Sequence, residues 1–244
     1  MTTQAMSTNP GTALVTGATS GIGRAVALRL GEDGWSVIVH GRDAERGNAV
    51  VNEILASGGN ARFVSADLSD LRELRDLAGS VGAVDVLVNN AGRAWFGPTE
   101  ELSSADFDDM FNANVRSAYF LVAAIAPKMA ARGSGSIISI GSMVGQVGLV
   151  GGAAYSATKA SLSALTRSWA AEYSPSGVRV NVVAPGPVYT GAPAKRTSAI
   201  GDTTLMARAA QPSEIAEVVG FLASSKASYV TGAVVAVDGG RTAI

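Results

Sequence analysis

Tyr155 and Lys159 stand four residues apart in Tyr155-Ser156-Ala157-Thr158-Lys159, where an alanine- and serine-rich segment begins. Residues 155–172 read as a helix, and positions four apart on a helix share a face, with Cβ atoms roughly 5–6 Å apart. A phenol ordinarily loses its proton near pH ~10. A cation one turn away favours the phenolate and lowers that value. Such a tyrosine can give and take a proton near neutral pH, as acid–base catalysis requires. Taken alone, the pair is as readily a surface tyrosine near a surface lysine, so its surroundings decide. Ser142 falls just past the fifth apolar run and Asn114 in the middle of a helical pattern, where an amide is a poor helix former.

Those residues need a scaffold, and the chain spells one out. Short apolar runs at residues 12–16, 36–40, 61–65, 84–89, 136–140, 178–183 and 233–237 read as strands. Between them lie helical patterns at 22–33, from the Asp43 cap to about 57, near 70–78, at 104–131, in the Tyr155 segment and at 212–223. Pro127 is expected to kink the end of the long one. Strands alternating with helices predict an α/β protein: one doubly wound Rossmann-type domain over residues 11–244, with a seven-stranded parallel sheet covered on both faces. Residues 1–10 read as a disordered leader. Residues 186–211 form the one long irregular stretch, which suits a lid over the substrate.

Three turns at strand ends can bind a nucleotide. Gly17-Ala18-Thr19-Ser20-Gly21-Ile22-Gly23 joins the first strand to the first helix. Glycine there lets a pyrophosphate approach the backbone, and the positive pole of the helix faces it. Asp67-Leu68 follows the third strand; its carboxylate can accept from an adenine amino group or cap a helix. Asn89-Asn90-Ala91-Gly92 follows the fourth, at the sheet edge where open α/β proteins bind ligands.

Composition excludes several chemistries. With no cysteine there is no disulfide and no thiol nucleophile, and one histidine, His40, cannot build a histidine metal site or a Ser-His-Asp triad within one chain. Nineteen basic residues balance twenty acidic ones without a basic cluster, so neither nucleic acid nor a membrane surface is an expected partner. The longest apolar run, 118–126, is too short to span a bilayer, and residues 1–10 lack signal-peptide features. A soluble cytoplasmic protein without a metal is expected.

In their order, the glycine turn, Asn89-Asn90-Ala91-Gly92, Ser142, Tyr155-x3-Lys159, Pro185-Gly186 and the ending Val237-Asp238-Gly239-Gly240 resemble the short-chain dehydrogenase/reductase family over residues 12–240. The resemblance implies hydride exchange between a nicotinamide cofactor and a ketone or secondary alcohol. Tyr155 would be the general acid/base, Lys159 would lower its pKa and bind the ribose, Ser142 would hold the substrate oxygen, and Asn114 would hold a water linking Lys159 to solvent. The cofactor would be held by Gly17, Thr19, Ser20, Gly21, Ile22, Gly23, Arg42, Asp67, Leu68, Asn90, Ala91, Gly92, Tyr155, Lys159, Pro185, Gly186, Val188 and Thr190. Trp95, Phe96, Val144, Gln146, Leu149, Val150 and Tyr189 would line a mostly apolar substrate pocket beside Ser142 and Tyr155, suiting a small hydrophobic ketone or alcohol. A homotetramer is also implied, with Ala160, Ser163 and Ala164 permitting close approach of the Tyr155 helix to its symmetry mate.

At the end of the second strand, Gly41 stands where NAD-selecting enzymes place a carboxylate, and Arg42 follows it. NADP(H) is therefore preferred and NAD(H) possible, with Asp43 the residue that would oppose the phosphate if it swung inward. Two features depart from the family pattern. The helix before the fourth strand is short, and Gly133 and Ser176 replace the arginines of acyl-carrier-protein reductases, with Arg132 and Arg179 nearby. A carrier-protein reductase, a cofactor-binding sensor without turnover, and a dehydratase or epimerase of the same fold are the alternatives.

Overall fold

The computed structural model describes residues 10–191 and 193–243. The expected leader therefore lies, apart from Pro10, outside the described residues. The strands are β1 (Thr12–Val15), β2 (Ser36–Gly41), β3 (Asn60–Ser65), β4 (Val86–Asn89), β5 (Gly135–Ile140), β6 (Val178–Pro185) and β7 (Val234–Val237). The helices are α1 (Gly21–Glu32), α2 (Ala44–Ala56), α3 (Leu71–Ser80), α4 (Ser104–Phe111), α5 (Ser117–Arg132), α6 (Ala153–Tyr173), α7 (Ala194–Gly201) and α8 (Pro212–Ala223). All seven strands pair in parallel in the order β3-β2-β1-β4-β5-β6-β7.

Successive side chains of a strand point to opposite faces, and here both faces are buried. Ala13 and Val15 join Val37, Val39, Val86 and Val88 in a cluster closed by Val26 and Leu30 of α1, Ile54 of α2 and Ile215 and Val219 of α8. Leu14, Ile38, Leu87 and Ile137 join the opposite cluster, closed by Leu74 of α3, Leu121 and Ile125 of α5 and Trp169 of α6. That double burial is why the strands read as nearly continuous apolar runs. The order also puts β1 between β2 and β4, so the connections leaving β1 and β4 part to opposite faces and open a crevice at the carboxyl edge.

Two elements differ from the sequence expectation. The single helix expected over 104–131 is divided by a π turn, Asn112–Arg116, which carries Asn114. An extra residue in a helical turn breaks the regular hydrogen-bond ladder, and such turns cluster at functional sites. The helix then runs through Pro127 and ends at Gly133, whose φ of 74° is left-handed. Within the stretch expected to be irregular, α7 forms and is tied back by a 2.9 Å hydrogen bond between the Tyr189 and Ser198 hydroxyls. No helix among the described residues is long and apolar enough to cross a membrane.

Candidate active site

The glycine turn is shaped by what a side chain would strike. Gly17 and Gly21 have φ of 62° and 53°, which disfavours other residues. A Cβ on Gly23 would lie 2.3 Å from both Asn90 Nδ2 and Gly17 O, and one on Gly17 would lie 2.9 Å from Ala91 Cα. The Asn90 amide uses that room, donating to Thr16 O at 2.8 Å and Gly17 O at 3.1 Å. Thr16 Oγ1 accepts from the Asn90 and Ala91 backbone N–H groups at 3.0 Å each, and so fixes the end of β4 to the end of β1.

His40 braces the turn from below. Its Nε2 faces Ala66 O at 3.1 Å, which requires the proton on that nitrogen, and its Nδ1 accepts from Gly17 N–H at 3.3 Å. The ring is therefore neutral, and burial pushes its pKa below the ordinary histidine value. Ser20, the extended N-cap of α1, makes no capping bond with its hydroxyl, and the first turn of α1 holds no acidic residue. Unpaired N–H groups at a helix start favour an anion. Thr190 lies against Gly21, whose added Cβ would be 3.2 Å away. A backbone cradle with no room for side chains, facing a bare helix pole, fits a dinucleotide pyrophosphate.

The ends of β2 and β3 stand where the adenosine end would lie. Arg42 is exposed and has no ion pair among the described residues. Asp43 does not oppose a phosphate from here, because it caps α2 by accepting from Arg46 N–H at 3.1 Å and pairs with Arg46 Nε at 3.2 Å. At Gly41 a Cβ would stand 2.4 Å from the Thr19 methyl. Asp67 Oδ1 accepts from the Ser69 N–H and hydroxyl at 2.9 and 2.8 Å, which holds its carboxyl below the usual range; the charge of Arg42 adds to this. The cap of α3 is Asp70, so Asp67 is not needed for that role, and Leu68 beside it is buried.

Tyr155 lies in the first turn of α6, and Ser142 caps the short turn after β5. The Ser142 hydroxyl is near enough to the phenol to favour its ionised form, and it accepts from Val144 N–H at 3.3 Å. Lys159 is buried, with Nζ 5.6 Å from the Tyr155 ring centre and donating to Ile140 O at 2.8 Å. The electrostatics differ from the sequence reading. Burial raises the Tyr155 phenol above its ordinary value, with the neighbouring Ser142 hydroxyl opposing, and burial lowers Lys159 to about 8. Desolvation disfavours whichever form is charged, so it moves an acid up and a base down. The ammonium also sits over the ring and is held by a carbonyl rather than by the phenol oxygen.

Asn114 is likewise occupied. Its Oδ1 accepts from Arg93 N–H at 2.8 Å, and its amide donates to Arg93 O at 2.9 Å and to Thr158 Oγ1 at 3.0 Å. Its side chain therefore ties the loop after β4 to α6, leaving no amide hydrogen for a water. Gly92 is glycine for the same reason, since a Cβ would stand 2.8 Å from Asn114 Oδ1.

The pocket candidates divide. Phe96 meets Tyr155 edge-on, ring centres 5.4 Å apart, and the Arg196 guanidinium of α7 lies over the other contact of that ring at 4.9 Å. Trp95 is half-buried and packs against Gly97; Gln146 and Val150 are exposed, while Val144 is buried and its N–H bonds Ser142 Oγ at 3.3 Å. Leu149 lies against Gly152, and Tyr189 holds α7 through Ser198. Pro185 ends β6, Gly186 packs against Asp238, and Val188 bridges to Ala210. Sequence reasoning missed Thr16, His40, Thr158 and Arg196. A lone histidine ending the second strand was the one available signal.

A doubly wound sheet whose first turn has the shape to cradle a phosphate group, with a tyrosine, a serine and a lysine at the same edge, defines a dinucleotide-dependent oxidoreductase. The short chain dehydrogenase model matches residues 11–200. The 3-oxoacyl-(acyl-carrier-protein) reductase FabG of Staphylococcus aureus is 38% identical over 237 residues, 93% of this chain and 96% of that one. The cis-4-hydroxycyclohexanecarboxylate dehydrogenase of Sinomonas cyclohexanicum is 39% identical over 241 residues, 95% and 96% of the two chains. A Beutenbergia cavernae structure assigned as an NAD(P)-dependent gluconate 5-dehydrogenase, with NADP bound at low occupancy, superposes with a TM-score of 0.92 at 39% identity, covering 97% and 98%. The chain belongs to the short-chain dehydrogenase/reductase family and is an NAD(P)-binding enzyme.

Proposed function

We propose that the enzyme interconverts a ketone and a secondary alcohol with a preference for NADP(H). The observation that carries this reading is the half-buried Tyr155 phenol, beside Ser142 and overlain by Lys159, at the edge that also holds the glycine cradle. When bound, the nicotinamide supplies or accepts the hydride. Tyr155, protonated at neutral pH, gives its proton to the substrate oxygen in reduction and recovers it in oxidation. Ser142 donates to the same oxygen and steadies charge developing there. Lys159 places positive charge over the ring that becomes a phenolate. Arg42 offers a planar cation to a 2′-phosphate, and Asp43, tied to Arg46, does not repel it.

Relatives act on different molecules by name, a carrier-bound acyl group in one and a ring hydroxy acid in another. A small free ketone is favoured here. Arg132 bonds Val84 O, Lys128 O and Asp85, and Arg179 bonds Ser224 O from a partly buried position. Neither guanidinium is free to meet an acidic carrier protein. The decisive experiment is NADPH oxidation with a panel of free ketones and 3-oxoacyl thioesters. Tyr155→Phe is expected to cut turnover by at least about a hundredfold while leaving NADPH binding intact. Near-normal rates in that variant would overturn the mechanism, and NADPH binding without oxidation across the panel would favour a sensor.

A homotetramer completes the reading. Ala160 and Ala164 on α6 are exposed, as are Phe107 of α4 and Tyr119 of α5, which leaves apolar surface in water. Light scattering is expected to give four times the chain mass, and a monomer at micromolar concentration would reject the assembly.

A further inference from the structure

We infer that Arg196 binds a carboxylate of the substrate, so that the ketone taken by this enzyme is an oxo acid whose acid group is set off from the reacting carbonyl by about the width of one aromatic ring. The inference rests on the reading of Tyr155 as the proton donor. Three segments far apart in sequence meet to make the arrangement. Tyr155 comes from α6, Phe96 from the loop after β4 and Arg196 from α7. Phe96 touches both of the others: its ring centre is 5.4 Å from that of Tyr155 and 4.9 Å from the Arg196 guanidinium carbon. Phe96, 39% exposed, presents apolar surface next to the phenol, which suits the hydrocarbon body of a substrate.

The charge over that ring has no carboxylate partner within ion-pair distance among the described residues. Arg24, Arg29, Arg93, Arg132 and Arg208 each pair with a carboxylate, but Arg196 has none within ion-pair distance among the described residues. The sequence of α7, Ala-Lys-Arg-Thr-Ser-Ala-Ile-Gly, adds a second cation and no acid. Nor does Arg196 sit on a free-swinging segment. Thr197 beside it is buried, and Ser198 is bonded to Tyr189 at 2.9 Å. A guanidinium stacked on a ring keeps its N–H edge for a ligand, and that edge matches a carboxylate with two parallel hydrogen bonds. Simple packing of the lid on Phe96 is the competing role. It predicts no preference between an acid and its amide.

Two substrates of one shape decide the matter: 4-oxocyclohexanecarboxylate and 4-oxocyclohexanecarboxamide, each reduced with NADPH. The acid is expected to exceed the amide in kcat/KM by about tenfold or more, a charge-assisted bidentate pair being worth that much. Arg196→Gln should abolish the advantage by raising KM for the acid and leave the amide unchanged, and Arg196→Lys should restore part of it. A second measurement does not depend on turnover. Calorimetric titration with unreactive cyclohexanecarboxylate should show binding that is lost in Arg196→Gln, and cyclohexanecarboxamide should bind both proteins alike. Equal losses for acid and amide in Arg196→Gln, or no preference in the wild type, would overturn the assignment. If neither ketone is reduced but the acid still binds through Arg196, the reading of Tyr155 as proton donor to a ketone of this shape fails and the carboxylate site stands.

Discussion

Replacing Lys159 by methionine tests the electrostatics of the site through folding rather than catalysis. Lys159 is buried, and that burial lowers its pKa from 10.5 to about 8. Below the folded value both native and unfolded chains hold the proton, and the native state bears the full cost of burying a cation. As the pH rises through about 8 the native state releases its proton while the unfolded chain keeps it, so the unfolded state binds more protons and stability rises with pH. Between about pH 7 and about pH 9.5 this amounts to about 2 kcal/mol. Tyr155, raised by the same burial, acts in the opposite sense only above its ordinary value of 10.0, and it does so in both proteins. Lys159→Met keeps an unbranched chain of similar length without the charge. Urea unfolding of both proteins, free of cofactor and at one protein concentration, should show the wild type gaining about 2 kcal/mol on the variant across that range. Parallel pH profiles would refute the claim that Lys159 is a buried cation in the native state.

The remaining predictions concern the cofactor turn. Arg42→Ala should weaken NADPH binding by about tenfold or more and leave NADH nearly unchanged, read by fluorescence titration. Equal losses for both cofactors would show that Arg42 does not read the phosphate. Gly41→Asp alone should perturb the turn, because its Cβ meets the Thr19 methyl at 2.4 Å. Thr19→Ser with Gly41→Asp removes that methyl and should shift the kcat/KM ratio toward NADH. His40 can accept from Gly17 N–H only when neutral, so cofactor affinity should fall as acid protonates the ring, at a pH below the ordinary histidine value of 6.5. His40→Phe should weaken binding at every pH and lose that acid limb.

What neighbours along the chain impose was legible in the sequence. The Tyr155–Lys159 pair, the Asp43 cap, the glycine turn and the alternation that buries both faces of the sheet all follow from helix and strand periods acting over a few residues. The ends of β2 and β4 were legible for the same reason, because a parallel strand must deliver its next residues to the carboxyl edge. The state of those residues was decided elsewhere. A cation one turn from a phenol should lower its pKa, yet Tyr155 is raised, because desolvation depends on every segment packed around α6 and not on the spacing within it. Asn114 lies where the motif places it, but a π turn and the distant Arg93 and Thr158 determine what its amide touches. The Arg196–Phe96–Tyr155 group has no local signature at all, since its three members come from α7, the loop after β4 and α6, brought together only when the two apolar clusters close on the sheet.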